Sequence, residues 1–276
     1  MSGGADFFLN YYLFEILIFI ITLIIAAYGN NTVDAFRRDH SFSVETEGTR
    51  MKAKELKILR KTLVKANRCD ELLKGFDNDI VLPPLKTSAT NSESDDLTEG
   101  FSPARRKSNL SVTFSLSSQI SEERFQQILN LFERNMGEMY KNSSWGLNLD
   151  EKSAELRDDK ARFLLVLDDE EKLSGFVHFR FEYDDEESPS CAVLYLYEIQ
   201  IESMYRRCGV GKRLMKIAEG IAREQSMKKI VLTVFKKNQQ AMEFYTKTLG
   251  YVIDESSPST IGDRHYDYEI LCLKIL

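Results

Sequence analysis

The sequence predicts an α/β fold, and two observations predict it. Residues 192–201 are a run of Val, Leu, Tyr and Ile that reads as a strand, and Leu214, Ile217, Ala218, Ile221 and Ala222 recur at helical spacing just beyond it. Between them lies Arg206-Arg207-Cys208-Gly209-Val210-Gly211-Lys212, a compact cationic turn with two glycines. A strand feeding a helix through such a turn sets unpaired backbone N–H groups and the positive end of the helix dipole toward an anion, and glycine lets that anion come close. The turn matches neither the Gly-x-x-x-x-Gly-Lys-Ser/Thr phosphate loop nor the Gly-x-Gly-x-x-Gly dinucleotide fingerprint.

At 276 residues, 43% hydrophobic and 29% charged, the chain has ordinary globular composition and length for one sizeable core plus extensions. Its net charge of -6 is uneven: from Ile120 onward there are 28 acids and 22 bases, leaving 15 of each before that point. The acidic surplus favours a cationic substrate and disfavours direct contact with nucleic acid. Cys69, Cys191, Cys208 and Cys272 are widely spaced, as are His40, His178 and His265. Neither spacing suggests a disulfide framework or a metal site, and a reducing compartment fits.

Four segments follow in order. Residues 1–49 open with an apolar run from Phe7 to Tyr28, long enough at 1.5 Å per residue to cross a bilayer. Glu15 opposes that reading, so a membrane anchor and a buried helix both stay open; if it spans, Arg37 and Arg38 leave the rest of the chain on the cytosolic side. Residues 50–76 carry Leu56, Leu59, Leu63 and Ala66 as a stripe among seven bases and one acid between Arg50 and Lys65, a basic amphipathic helix that packs on the core or serves as a targeting or membrane-surface segment. Residues 77–109 become rich in Ser and Asp without periodicity, a disordered linker. Residues 110–276 hold the main domain.

Within that domain residues 111–116 alternate as a strand. Ser121 then opens a helix, with Arg124 at the position where a capping box would carry an acid, and Phe125, Ile128, Leu129, Phe132, Met136 and Met139 form its apolar face. Trp145-Gly146 falls in the next loop. Strands are predicted at 161–167, 173–183, 191–201, 229–235 and 266–275, the second and third joined through the acidic loop Asp184-Asp185-Glu186-Glu187.

Asn238-Gln239-Gln240-Ala241-Met242-Glu243-Phe244-Tyr245, followed by Leu249-Gly250-Tyr251, stands at the right distance beyond the turn to form a second segment with it. Together the two resemble the cofactor segments of the GNAT acetyltransferases. That resemblance implies a GNAT fold, a central mixed and mostly antiparallel sheet flanked by helices with an N-terminal helical extension, and acetyl-CoA as co-substrate without a metal. It implies that Arg206, Arg207, Gly209, Val210, Gly211, Lys212 and Asn238, with Ile199, Ile201 and Tyr245, hold the cofactor.

Acetyl transfer to an amine needs a base, a donor facing the developing oxyanion and an acid for the thiolate. Glu198 is the only carboxylate in the apolar strand before the turn and is the candidate base, acting through water; the alternative is an ion pair with a core arginine such as Arg180. Tyr197 and Tyr245 complete the catalytic candidates, Tyr245 as acid or as packing beneath the cofactor. Strict alternation sets Tyr195 and Tyr197 on the face opposite Glu198. A bulge of the kind GNAT proteins carry before the turn would bring them together.

Met136-Gly137-Glu138-Met139-Tyr140, Trp145-Gly146, Tyr195-Leu196-Tyr197-Glu198, Ser256-Ser257-Pro258-Ser259 and Ala66-Asn67-Arg68 narrow the resemblance to the NatD-type N-alpha-acetyltransferases, over residues 52–76 and 108–273. The apolar start, the linker and the lengthened loop at 184–190 depart from it. The resemblance implies histone H4 and 2A-type histone tails beginning Ser-Gly-Arg-Gly as substrate, held by Tyr140, Trp145, Glu182, Tyr195, Tyr197, Glu198 and Tyr268. It also implies a monomeric catalytic domain in cytoplasm and nucleus. A lysine acetyltransferase of the same family and a catalytically idle coenzyme A-binding, membrane-tethered protein are the other readings.

Overall fold

A computed structural model describes residues 53–82, 109–263 and 265–275. The run from Phe7 to Tyr28 and most of the Ser/Asp-rich segment lie outside them. Among the described residues no helix is long and apolar enough to cross a membrane.

Among the described residues eight strands form one sheet in the order β1-β2-β3-β4-β5-β6-β8-β7. They are β1 Asp79–Val81, β2 Asn109–Leu116, β3 Arg162–Asp168, β4 Leu173–Tyr183, β5 Ala192–Ile201, β6 Lys229–Phe235, β7 Val252–Ile253 and β8 Tyr268–Lys274. All neighbours pair antiparallel except β5 and β6, which run parallel. A parallel pair needs a crossover, and α4 (Val210–Glu224) supplies it. The other helices are α1 Ala53–Asn67, α2 Glu122–Lys141, α3 Leu149–Arg157 and the short α5 Gln239–Glu243, which widens into a π-helical turn at Phe244–Thr248.

The sheet separates two apolar layers. On one face α1 and α4 bury Leu59, Leu63, Leu214 and Ile221 against Val177, Phe179, Leu194 and Leu196. On the other, α2 and α3 bury Phe125, Ile128, Phe132 and Leu156 against Phe163, Leu165 and Phe176. Strand residues alternate between these layers, so β4 and β5 are buried on both faces, with polar side chains such as His178, Arg180 and Glu198 facing the second layer. At the far side of the sheet Lys229 pairs with the buried Asp254 at 2.7 Å.

Three expectations need correcting. The segment 77–109 is not unstructured from its start, because Ile80 and Leu82 are buried and β1 pairs with β2 before the chain leaves the described residues. The buried face of α2 includes Leu131, while Leu129, Met136 and Met139 are half-buried at its margin. Helix α3 was not anticipated at all.

Candidate functional site

β5 carries the site because its pairing breaks at one residue. Against β4, His178 faces Glu198 and Phe179 faces Leu196, so Tyr197 is an extra residue in the strand. Before it, the odd-numbered Tyr195 and Tyr197 face the α2/α3 layer; after it, the even-numbered Glu198 and Gln200 do. A bulge that reverses the alternation is what brings Tyr197 and Glu198 to one face.

The same residue ends the parallel pairing. β5 and β6 pair from Val193–Lys229 to Leu196–Leu232 and no further, although both strands continue. Beyond that point the strands part, leaving the backbone of Ile199 and Ile201 without ladder partners on the β6 side. The Tyr195 and Thr233 hydroxyls share a hydrogen bond of 2.6 Å at the root of the opening.

At the end of β5 the cationic turn opens α4. Gly209 is left-handed (φ 89°) at the N-cap, and the helix has no side-chain cap, so the first amides of α4 are not screened by a neighbouring side chain. A Cβ on Gly211 would stand 3.2 Å from Phe244 and 3.4 Å from Ile201, so only glycine fits there easily. Arg207 and Lys212 are exposed. Arg206 is folded back: its Nε donates to the Ile201 carbonyl at 3.0 Å and its Nη2 to Asn135 Oδ1. Asn238 uses its side-chain oxygen to cap α5 at Ala241 N–H. These residues fit an acyl-CoA, whose pyrophosphate suits uncapped amides among cations and whose extended pantetheine arm suits unpaired strand backbone.

Glu198 is buried, and its partner is not Arg180. Lys152 of α3 places its ammonium 2.8 Å from Glu198 and 2.5 Å from Glu155, all three side chains largely shielded from water. Gln200 Nε2 donates to Glu198 Oε2 at 3.1 Å. Burial pushes the Glu198 carboxyl above its ordinary value, with Lys152 opposing. Burial also works against the Lys152 ammonium, but Glu155 and Glu198 outweigh it and raise its pKa. Arg180 instead pairs with Asp158 at 3.2 Å and lies 4.4 Å over the Tyr197 ring.

His178 stacks between Phe163 and Tyr197, fully buried. Burial first, and then the charges of Lys152 and Arg180, hold its pKa well below the usual histidine value, so the imidazole is neutral. Glu155, His178 and Glu198 bring three potential metal ligands together. The Lys152 ammonium already lies between the two carboxylates.

The other substrate candidates line the same face. Tyr197 donates its hydroxyl to Glu182 at 3.0 Å. Ser144 N–H and hydroxyl both donate to Asp267, which ties the loop after α2 to the start of β8 and sets Trp145 against Tyr268 at 5.5 Å. Tyr140 packs edge-on to Trp145, and Phe235 completes a triangle with them at 5.3 and 4.8 Å. Burial raises the Tyr140 phenol to about 12. Tyr245 is buried in the other layer, between Phe244 and Tyr251, where burial and then the Glu198 charge hold its phenol well above its ordinary value.

Residues 125–251 match the model of the acetyltransferase (GNAT) family. This part of the chain has the GNAT acetyltransferase fold. N-alpha-acetyltransferase 40 of Saccharomyces cerevisiae is 25% identical to it over 167 residues, 54% of this chain and 58% of that protein. The chain therefore spans little more than half the length of that relative. Among solved structures, a putative GNAT acetyltransferase from Desulfovibrio desulfuricans is 15% identical with a TM-score of 0.45, covering 60% of this chain and 100% of the other. An acetyltransferase from Streptococcus agalactiae is 17% identical with a TM-score of 0.46, covering 60% and 98%.

Apart from Tyr245, which lies in the opposite layer, the aromatic and acidic candidates gather on one sheet face, with the turn at its edge. Sequence reasoning missed Lys152, Glu155, Asn135 and Phe235. Only Phe235 lay in a strand already singled out; Asn135 comes from α2, and Lys152 and Glu155 both come from α3.

Proposed function

We propose that this chain is an N-alpha-acetyltransferase that moves an acetyl group from acetyl-CoA to the N-terminal amine of a cationic protein tail, of the Ser-Gly-Arg-Gly type that begins histone H4 and the 2A-type histone. The observation that carries the reading is the reversal of alternation at Tyr197, which sets an ionisable base and two tyrosines beside the parting of β5 and β6. The name of the yeast relative supports N-terminal rather than lysine chemistry.

Acetyl-CoA held by the turn and by Ile199 and Ile201 supplies the acyl thioester. Glu198 accepts the proton of the incoming ammonium through water, and the buried Tyr245 keeps its proton available for the leaving thiolate. An α-amine of pKa near 8 is about 2.5 units easier to deprotonate than a lysine near 10.4, about 3.4 kcal/mol. One carboxylate relaying through water suffices for that task. Glu182 and Glu198 offer negative charge to a cationic residue behind the amine, and the ring cluster of Tyr140, Trp145 and Tyr268 offers apolar walls.

Incubation with acetyl-CoA and a peptide beginning Ser-Gly-Arg-Gly, followed by mass mapping, tests this. Acetyl on the first amine is the expected product. Acetyl only on internal lysines moves the assignment to a lysine acetyltransferase, and coenzyme A binding without turnover on any amine makes the chain an idle binding protein.

A further inference from the structure

A single line of hydrogen bonds connects the cationic turn to Glu198. Arg206 Nη2 donates to Asn135 Oδ1, Asn135 Nδ2 donates to Gln200 Oε1 at 3.0 Å, and Gln200 Nε2 donates to Glu198 Oε2 at 3.1 Å. Asn135 Nδ2 also lies 3.3 Å from the Ile201 carbonyl, to which Arg206 Nε donates as well.

The direction of this line is not arbitrary. A guanidinium has donors and no acceptor, so Asn135 must turn its oxygen to Arg206 and its NH₂ to Gln200. Gln200 must then accept with its oxygen and turn its own NH₂ to Glu198. Each amide's orientation is inferred from its neighbours, and here the two ends of the line, one donor-only and one carboxylate, allow one arrangement. A hydrogen bond donated to a carboxyl favours its ionised form.

We infer that Asn135 and Gln200 are positioning residues that transmit the polarity of Arg206 to Glu198 and so hold the base as a carboxylate, coupling the state of the cofactor turn to the readiness of the base. Glu198 and Gln200 are buried and Asn135 is half-buried, while Arg206 at the turn is exposed. The line therefore runs from solvent to the interior, and its outer end is the one an anion at the turn can reach. Without Arg206, the Ile201 carbonyl alone orients Asn135, and whenever that amide turns over Gln200 can present its oxygen to Glu198, which favours the neutral carboxyl.

The role given to Glu198 rests on the acetyltransferase reading, but the test does not. In protein labelled with ¹³C at glutamate carboxyl carbons, the Glu198 signal is assigned by its loss in Glu198→Gln, and its midpoint is followed by NMR. Gln200→Leu should raise that midpoint by about one pH unit, the equivalent of losing one charge-assisted hydrogen bond. Arg206→Met should raise it by a smaller, measurable amount in the native background and by nothing in the Gln200→Leu or Asn135→Leu background. A direct charge effect of Arg206 would survive in those backgrounds, so an equal shift in all three overturns the coupling, as does no shift in any. Asn135→Leu keeps the test open if the buried Gln200→Leu fails to fold. If the coupling is found and no amine is acetylated, the proposed function falls and the relay stands; if turnover is found without the coupling, the reverse holds.

Discussion

The Lys152 ammonium bridges Glu198 at 2.8 Å and Glu155 at 2.5 Å inside the α2/α3 layer, one cation for a buried and a half-buried carboxylate. The two partners therefore respond differently to substitution. Glu198→Gln leaves Lys152 paired with Glu155, so stability should change by about 1 kcal/mol or less, while turnover falls on the order of 10²-fold with coenzyme A affinity unchanged. Lys152→Met strands two carboxylates together and should cost about 3–5 kcal/mol. Chemical denaturation beside steady-state kinetics checks both, and equal destabilisation by the two variants would refute the asymmetry.

Glu182 accepts the Tyr197 hydroxyl at the edge of the aromatic cluster. Glu182→Gln keeps the shape and removes the charge. It should raise the KM for a Ser-Gly-Arg-Gly peptide about tenfold, roughly 1.4 kcal/mol, with kcat nearly constant, because a charge that holds the tail acts before and during the chemical step alike. A fall in kcat with constant KM would instead place Glu182 in the chemistry.

Asp254 and Lys229 set the acid limit of stability. Burial opposes ionisation of Asp254, but Lys229 and the N–H and hydroxyl of Ser256 outweigh it and hold the carboxyl below its ordinary 3.8. A carboxyl with a lowered folded-state pKa stabilises the fold above its unfolded value and loses that contribution as pH falls through the folded one. Lys229 is raised above 10.5, so its contribution is complete below that pH. Stability should therefore hold through neutrality and decline below about pH 3.8. In Asp254→Asn, urea midpoints measured across pH should be lower at neutrality and flatter in acid.

Gly175 in β4 lies against β5, where a Cβ would stand 2.8 Å from the Gln200 carbonyl. That atom is backbone and cannot swing aside. Gly175→Ala should lower stability by about 1–3 kcal/mol and depress turnover, because the displaced strand carries Gln200 and Glu198. A thermal melt indistinguishable from the native protein would show that β5 yields more easily than its pairing implies.

Most of the sheet was legible because β4, β5 and β6 are long, apolar and rich in branched and aromatic residues; the predicted bounds 173–183 and 229–235 coincide with the strands found. Helix α3 was not legible. Leu149-Asp150-Glu151-Lys152-Ser153-Ala154-Glu155-Leu156-Arg157 offers too few apolar positions to make a stripe, since it buries Lys152 against Glu198 of β5 rather than presenting a hydrophobic face. The only local signs were the Asn148 cap and the acids of the first turn. The base candidate and its tyrosines could be picked out along one strand, but the cation beside Glu198 and the outer of the two amides behind it come from segments 46 and 63 residues away in sequence, at Lys152 and Asn135. No periodicity within a single element records a pairing of that kind.

The extra residue at Tyr197 makes β5 more sensitive to length than to composition. Substituting any one of its side chains disturbs that position alone, whereas deleting one residue between the bulge and the turn would draw Arg206 and the start of α4 toward Glu198, and deleting Tyr197 itself would restore regular alternation, leave Glu198 on the α2/α3 face and remove the break at which β5 parts from β6. Within a collection of variants, this strand should therefore accept many replacements while keeping a constant residue count from Leu196 to Gly209.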